Sequence, residues 1–305
     1  MPLDSIVHAL LPWLAAAFSL LWAYPWARGL LDRSDPPDGP RATDPVLTLL
    51  LTVGLSLGGL TWLLMLLAAI SPALATFWPV TILALLASAS GVLLWRRQRS
   101  SIPPTAPDAE TPTPAPWWRH PTALTAALII LALAALTLFN AAYWPFYEDD
   151  TMTLYGPIAY RFATTGRFGG AGLYDAYPVL APLAMAYPHL AAGAPDEYAA
   201  RFVMAALAVG TIGAAYVLGR DLYGPPTGLA AAFLTAAVPI LPLWAASGYT
   251  DLPAGTFYAL TAVFAWRAWT RPCAVNAALT GLLAGLAAFT KNGALLLVGP
   301  LAGWA

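Results

Sequence analysis

The sequence predicts an all-α polytopic integral membrane protein, a multi-helix bundle with one long loop outside the bilayer that carries interfacial helices. Three observations predict it. Hydrophobic residues make up 59% of the chain and charged residues 10%, against roughly 25% charge in an ordinary soluble domain. So few charges cannot coat a globule of 305 residues, and lipid must therefore solvate much of the surface. The apolar runs are continuous over spanning length rather than alternating over about ten residues, which selects helices over a barrel. Residues 142–197 form the longest stretch outside those runs, and loops of that length are usually functional.

Spanning segments are expected near residues 5–26, 46–70, 76–95, 122–141, 198–219, 227–244, 252–268, 275–290 and 293–305. The last run reaches Ala305 with no polar cap, which reads as a fragment lacking its C-terminal part. Residues 100–116, SSIPPTAPDAETPTPAP, are proline-rich and nearly free of large apolar side chains, the mark of an extended linker. They divide the chain into a three-helix N-terminal membrane unit (1–98), a cytoplasmic linker (99–118) and a larger membrane domain (119–305). The N-terminal helices carry no charge at membrane depth and are assigned no chemistry. The first apolar run lacks a basic leader, against a cleaved signal peptide. Cys273 is the lone cysteine, which excludes an internal disulfide and a cysteine-based zinc site. A net charge of −1 gives no footprint for nucleic acid.

Orientation follows from the cations. With the linker cytoplasmic and the helices alternating, Arg28, Arg33, Arg41, Arg96, Arg97, Arg99, Arg119, Arg220, Arg267 and Arg271 lie inside. Arg161, Arg167, Arg201 and Lys291 lie outside. These account for all 14 basic residues. The long loop is then extracytoplasmic.

That loop opens with WPFYEDDTMTLYGPIAYRFATTGRF, residues 144–168. Glu148, Asp149 and Asp150 fall where the chain leaves the bilayer. Tyr155, Ile158, Ala159 and Phe162 follow at i, i+3, i+4, i+7 spacing, with Arg161 opposite. Such a helix fits the membrane interface, apolar side down. Acids before a helix also serve as N-caps, and this alternative stands beside a catalytic one. Gly166, Gly169, Gly170 and Gly172 form turns, not a phosphate loop, because no P-loop lysine follows and no strand precedes. His189 reads more readily as a hydrogen-bonded loop residue than as a ligand. Asp196 and Glu197 suit the cap of the next helix, and Arg201, at i+4 from Glu197, suits a local ion pair. Asp251 and Lys291 end membrane helices on the same side as the acid pair. Charges at that depth tend to mark function, although a lysine there can simply snorkel.

The succession EDD…Y…TGRF, YPVLAPLAMAY, DEYAARFVMAALAVGTIGAAYVLGRDLYG, SGYTDLPAGTFYAL and GLLAGLAAFTKNG resembles the GT-C superfamily. More narrowly, it resembles the protein O-mannosyltransferase-like and aminoarabinose-transferase-like branch. The likeness covers about residues 122–305, roughly three-fifths of the chain. It implies a membrane glycosyltransferase using a polyprenyl-phosphate-linked sugar, with Asp149 as catalytic base and Asp150 as its acidic neighbour. It also implies that Arg201 matches the arginine opening the next helix, and that Asp251 and Lys291 match a membrane-edge pair. The family's tyrosine after the acid pair has its nearest counterpart in Tyr155, one or two positions late.

On this reading Lys291 and Arg201 bind the donor phosphate, while Asp251, Tyr155 and His189 support the site. The acceptor is a lipid, glycan or protein hydroxyl, attacked with inversion by resemblance, in a bacterial inner or plasma membrane with the site facing outward. The sequence names no cofactor, and adjacent acids can hold a divalent cation through oxygen ligands. The competing class is a transporter or lipid flippase using Asp251 and Lys291 as a coupled pair. No internal repeat of the transporter kind is present. An inactive scaffold that keeps the fold is a third class.

Overall fold

The computed structural model describes residues 3–34, 44–100, 120–167 and 177–297. Twelve α-helices are present among them: α1 (Leu3–Leu21), α2 (Tyr24–Ser34), α3 (Pro45–Ile70), α4 (Phe77–Ser100), α5 (Pro121–Tyr143), α6 (Gly156–Thr165), α7 (Leu180–Ala192), α8 (Glu197–Tyr223), α9 (Pro225–Ala236), α10 (Ile240–Ser247), α11 (Asp251–Thr270) and α12 (Ala274–Thr290). No strand occurs among the described residues. The proline-rich linker, the glycines at 169, 170 and 172, and the end of the last apolar run lie outside the described residues. Five helical segments are long and apolar enough to cross a membrane: Ile6–Ser34, α3, α4, α5 and α8. The pair α9 and α10, bent by 72°, makes a sixth if it counts as one broken span. The expected polytopic helical membrane fold is present.

Local chemistry sets the breaks. Ala237–Pro239 separates α9 from α10 because Pro239 supplies no N–H to continue the ladder. The stretch 227–244 was expected as one helix and is two. Asp44 caps α3, its Oδ1 accepting from Leu47 N at 3.0 Å, with Pro45 at the first helical position. Asp196 caps α8 the same way, accepting from Ala199 N at 2.9 Å.

Helix α8 is the hub. Helices α1, α3, α5, α7, α9, α10 and α11 all pack on it. Helix α7 is apolar all round and is buried, with Tyr187 and Met185 fully enclosed, as a helix without a polar face must be. The N-terminal helices join this core. Trp13 meets Phe202 edge-on at 5.7 Å, and Thr81 Oγ1 lies 2.6 Å from the Tyr187 hydroxyl. Two pins fix the ends of the bundle. At one end Arg220 bridges Asp44 at 2.5 Å and Asp221 at 2.7 Å, and Arg267 completes the group on Asp221 at 2.8 Å. At the other, Gly166 closes α6 with a left-handed φ of 63°, directly against Pro72 in the α3–α4 turn.

Candidate active site

The acid stretch lies at the Gly166 end. Helical geometry begins at Asp149 and Asp150, passes through a π-turn over Thr151–Tyr155, and continues as α6. Pro157 accounts for the wide turn. It has no N–H to offer, and Gly156 N reaches back to Thr151 O instead. Such π-turns recur at functional sites. Both carboxylates are exposed, and Asp150 makes no side-chain cap bond. Glu148, not the pair, occupies the start of the turn, its carbonyl accepting from Met152 N at 2.9 Å. The capping alternative thus finds no cap bond at Asp150.

The face predicted for α6 is the face it buries. Tyr155, Ala159 and Phe162 are buried and Arg161 is exposed. What covers that face is α7, so the apolar side rests on protein rather than directly on lipid. Helix α7 was not visible as an element because Tyr177-Pro178 and Tyr187-Pro188 read as loop.

Tyr155 connects the acid helix to the second half of the site. Its hydroxyl lies 3.2 Å from Thr250 Oγ1, and it stands within electrostatic reach of Lys291, Asp150 and Asp251. Burial pushes the phenol pKa up, against the Thr250 hydrogen bond. The ring therefore stays protonated at neutral pH and can donate a hydrogen bond. Thr151 Oγ1 donates to Ser247 O at 2.9 Å. Asp251 opens α11, and Lys291 closes α12 as its C-cap. Each charge suits its helix end, acid at the N-terminus and cation at the C-terminus. Lys291 Nζ pairs with an Asp251 carboxylate oxygen, and the two side chains are 44% and 42% exposed. The structure thus brings Asp150, Tyr155, Thr250, Asp251 and Lys291 together. No motif in the sequence marks Thr250; its signal is its place directly before Asp251.

Arg201 stands elsewhere, and its expected contact with the donor phosphate does not fit this geometry. The side chain is wholly buried. Its Nε donates to Ala246 O. One terminal nitrogen donates to Trp144 O at 2.7 Å and Pro145 O at 2.9 Å, and the other to Asn140 Oδ1 at 3.2 Å. The guanidinium carbon sits 4.5 Å from the centre of the Tyr147 ring. Four of its five N–H donors are spent on protein. The local pair with Glu197 is also replaced: Glu197 Oε2 accepts from Phe146 N at 3.0 Å. His189 is buried at the end of α7, its Nδ1 accepting from Asp196 N at 2.9 Å. It meets Tyr160 edge-on at 6.3 Å. Desolvation holds its pKa down at about 4, so it is neutral and joins α7 to the α8 cap. Among the described residues no three His, Cys, Asp or Glu gather as a metal site.

Residues 177–305 match the family of dolichyl-phosphate-mannose-protein mannosyltransferases. The match marks this part of the chain as that of a membrane glycosyltransferase, and the resemblance read from the sequence is borne out there. It takes in Arg201, Asp251 and Lys291, while Asp149, Asp150 and Tyr155 precede it. No curated protein and no solved structure matches the chain.

Proposed function

We propose that the protein transfers a sugar from a polyprenyl-phosphate donor to an acceptor hydroxyl on the extracytoplasmic side, with inversion. The observation that carries this reading is the meeting of the acid helix with the Asp251–Lys291 pair through Tyr155 and Thr250. Asp149, exposed and directly before Asp150 in the chain, takes the proton of the acceptor hydroxyl as its oxygen attacks the anomeric carbon. The bond from that carbon to the phosphate oxygen breaks, and the polyprenyl phosphate leaves with the electron pair. Lys291, half-exposed, retains ammonium protons beyond the one on Asp251 and offsets charge developing on the phosphate. General-base catalysis of this kind contributes roughly 10²–10⁴-fold.

The pair also serves the transporter reading, in which Asp251 and Lys291 couple within the membrane. Their position favours the transferase, because both sit at helix termini and are partly exposed. Turnover of polyprenyl-phosphate mannose by the full chain in membranes tests the proposal. Lys291→Gln should raise the donor KM about tenfold, and Lys291→Arg should restore most of it. Equal donor use by wild type and Lys291→Gln would leave Lys291 a snorkelling residue.

A further inference from the structure

The loop that delivers the acid pair is held by its backbone, from one face of α8. Glu197 and Arg201 are one turn apart on that helix. Glu197 accepts from Phe146 N, and Arg201 donates to Trp144 O and Pro145 O. Three consecutive residues are thus gripped just before Glu148-Asp149-Asp150. The same guanidinium reaches Ala246 O, in the last turn of α10, before the Ser247–Asp251 turn. Trp144 is the C-cap of α5. Two helix C-termini therefore present carbonyls to one buried cation, which is where a positive charge is favoured.

Phe146 is a wedge between the two loops. Its ring is buried, and a Cβ on Gly156 would come within 3.1 Å of it. A Cβ on Gly248 would come within 3.4 Å of the same ring and 2.9 Å of Thr151 Cγ2. Glycine on both sides lets the acid helix and the Gly248 turn close on the ring. Gly248 also needs its left-handed φ of 85°.

We propose that Glu197 and Arg201 are positioning residues, a backbone clamp that fixes the acid pair relative to Asp251 and Lys291. The proposal rests on the transferase reading for its effect on turnover but not for its effect on geometry. The two are separated by reading both in the full chain, on a Cys273→Ser background. Nitroxides go on Met152→Cys, which is exposed in the π-turn, and on Gly293→Cys, where a Cβ meets only Tyr258 Oη at 4.0 Å. Glu197→Ala removes the acceptor from a half-buried position and leaves the wholly buried Arg201 in place. Glu197→Gln keeps an oxygen for the Phe146 N–H. Arg201→Lys keeps the charge and loses the fork.

The clamp predicts a broadened label-to-label distance distribution in Glu197→Ala and Arg201→Lys, and wild-type width in Glu197→Gln. It predicts kcat on polyprenyl-phosphate mannose about 10²-fold lower in the first two, as for an ångström of misplacement, with KM within about twofold and Glu197→Gln near wild type. Broadened distances with unchanged turnover support the clamp and remove the acid pair from catalysis. Wild-type widths in both Glu197→Ala and Arg201→Lys overturn the clamp, whatever the turnover.

Discussion

Acidification should loosen the α7–α8 junction, and His189 sets the size and the window. The ring is 3% exposed and its pKa falls from 6.5 to about 4 on burial. The folded chain therefore refuses a proton that the unfolded chain accepts between those values. The stabilisation is complete above about pH 6.5, declines as pH falls through the window, and is gone below about 4. A difference of about 2.5 units corresponds to about 3 kcal/mol, or roughly a 300-fold change in the folded-to-unfolded ratio. The proton has a specific cost here, because Nδ1 must keep its lone pair for the Asp196 N–H. Carboxylates titrate over part of the same range, so the comparison is with His189→Asn, whose amide oxygen can accept the same N–H without titrating. Unfolding of the full chain in detergent at pH 7.5, 5.5 and 4 should show the steeper loss in wild type. Equal losses in the two proteins would refute the argument.

Two more outcomes follow from named contacts. Gly166→Ala must place a Cβ at a φ of 63° and within 2.9 Å of Pro72 Cα, so it should destabilise the full chain by about 2 kcal/mol, read by the unfolding midpoint; an unchanged midpoint would deny the contact between the two halves. Cysteines at Thr164 and Thr270, both exposed, should label from opposite sides of the membrane in a Cys273→Ser background, with Thr164 reached from outside. Labelling of both from one side would end the expected topology.

Continuous apolar runs made much of the bundle legible. Helices α3, α5 and α8 begin and end within a few residues of the runs that announced them, because proline or a capping aspartate starts α3 and α8 at Asp44-Pro45 and Asp196. The 72° bend between α9 and α10 was hidden inside a run that looked continuous, although Pro239 and Pro242 signalled it. Helix α7 was hidden by its own prolines. Within the site, the period of Tyr155, Ala159 and Phe162 gave the buried face, and the charges at helix ends gave Asp251 and Lys291. What sequence could not give was non-local pairing. Arg201 bonds carbonyls far away in the chain, at Trp144, Pro145 and Ala246, and Glu197 bonds an N–H 51 residues back. Local spacing pointed them at each other. A charge one turn into an apolar helix signals only that it has a partner, not which one.

One comparison separates a catalytic base from a pair of surface acids. Asparagine keeps the shape of aspartate and caps helices about as well, but its amide takes up no proton near neutral pH. Transfer from polyprenyl-phosphate mannose is to be measured for full-chain Asp149→Asn, Asp150→Asn and the double variant, each checked for normal insertion and unfolding. Transfer should fall by about two orders of magnitude or more in Asp149→Asn, by less in Asp150→Asn, and little further in the double variant. Full transfer by all three, with normal folding, would contradict a catalytic base and leave the pair as surface acids at the start of a helix.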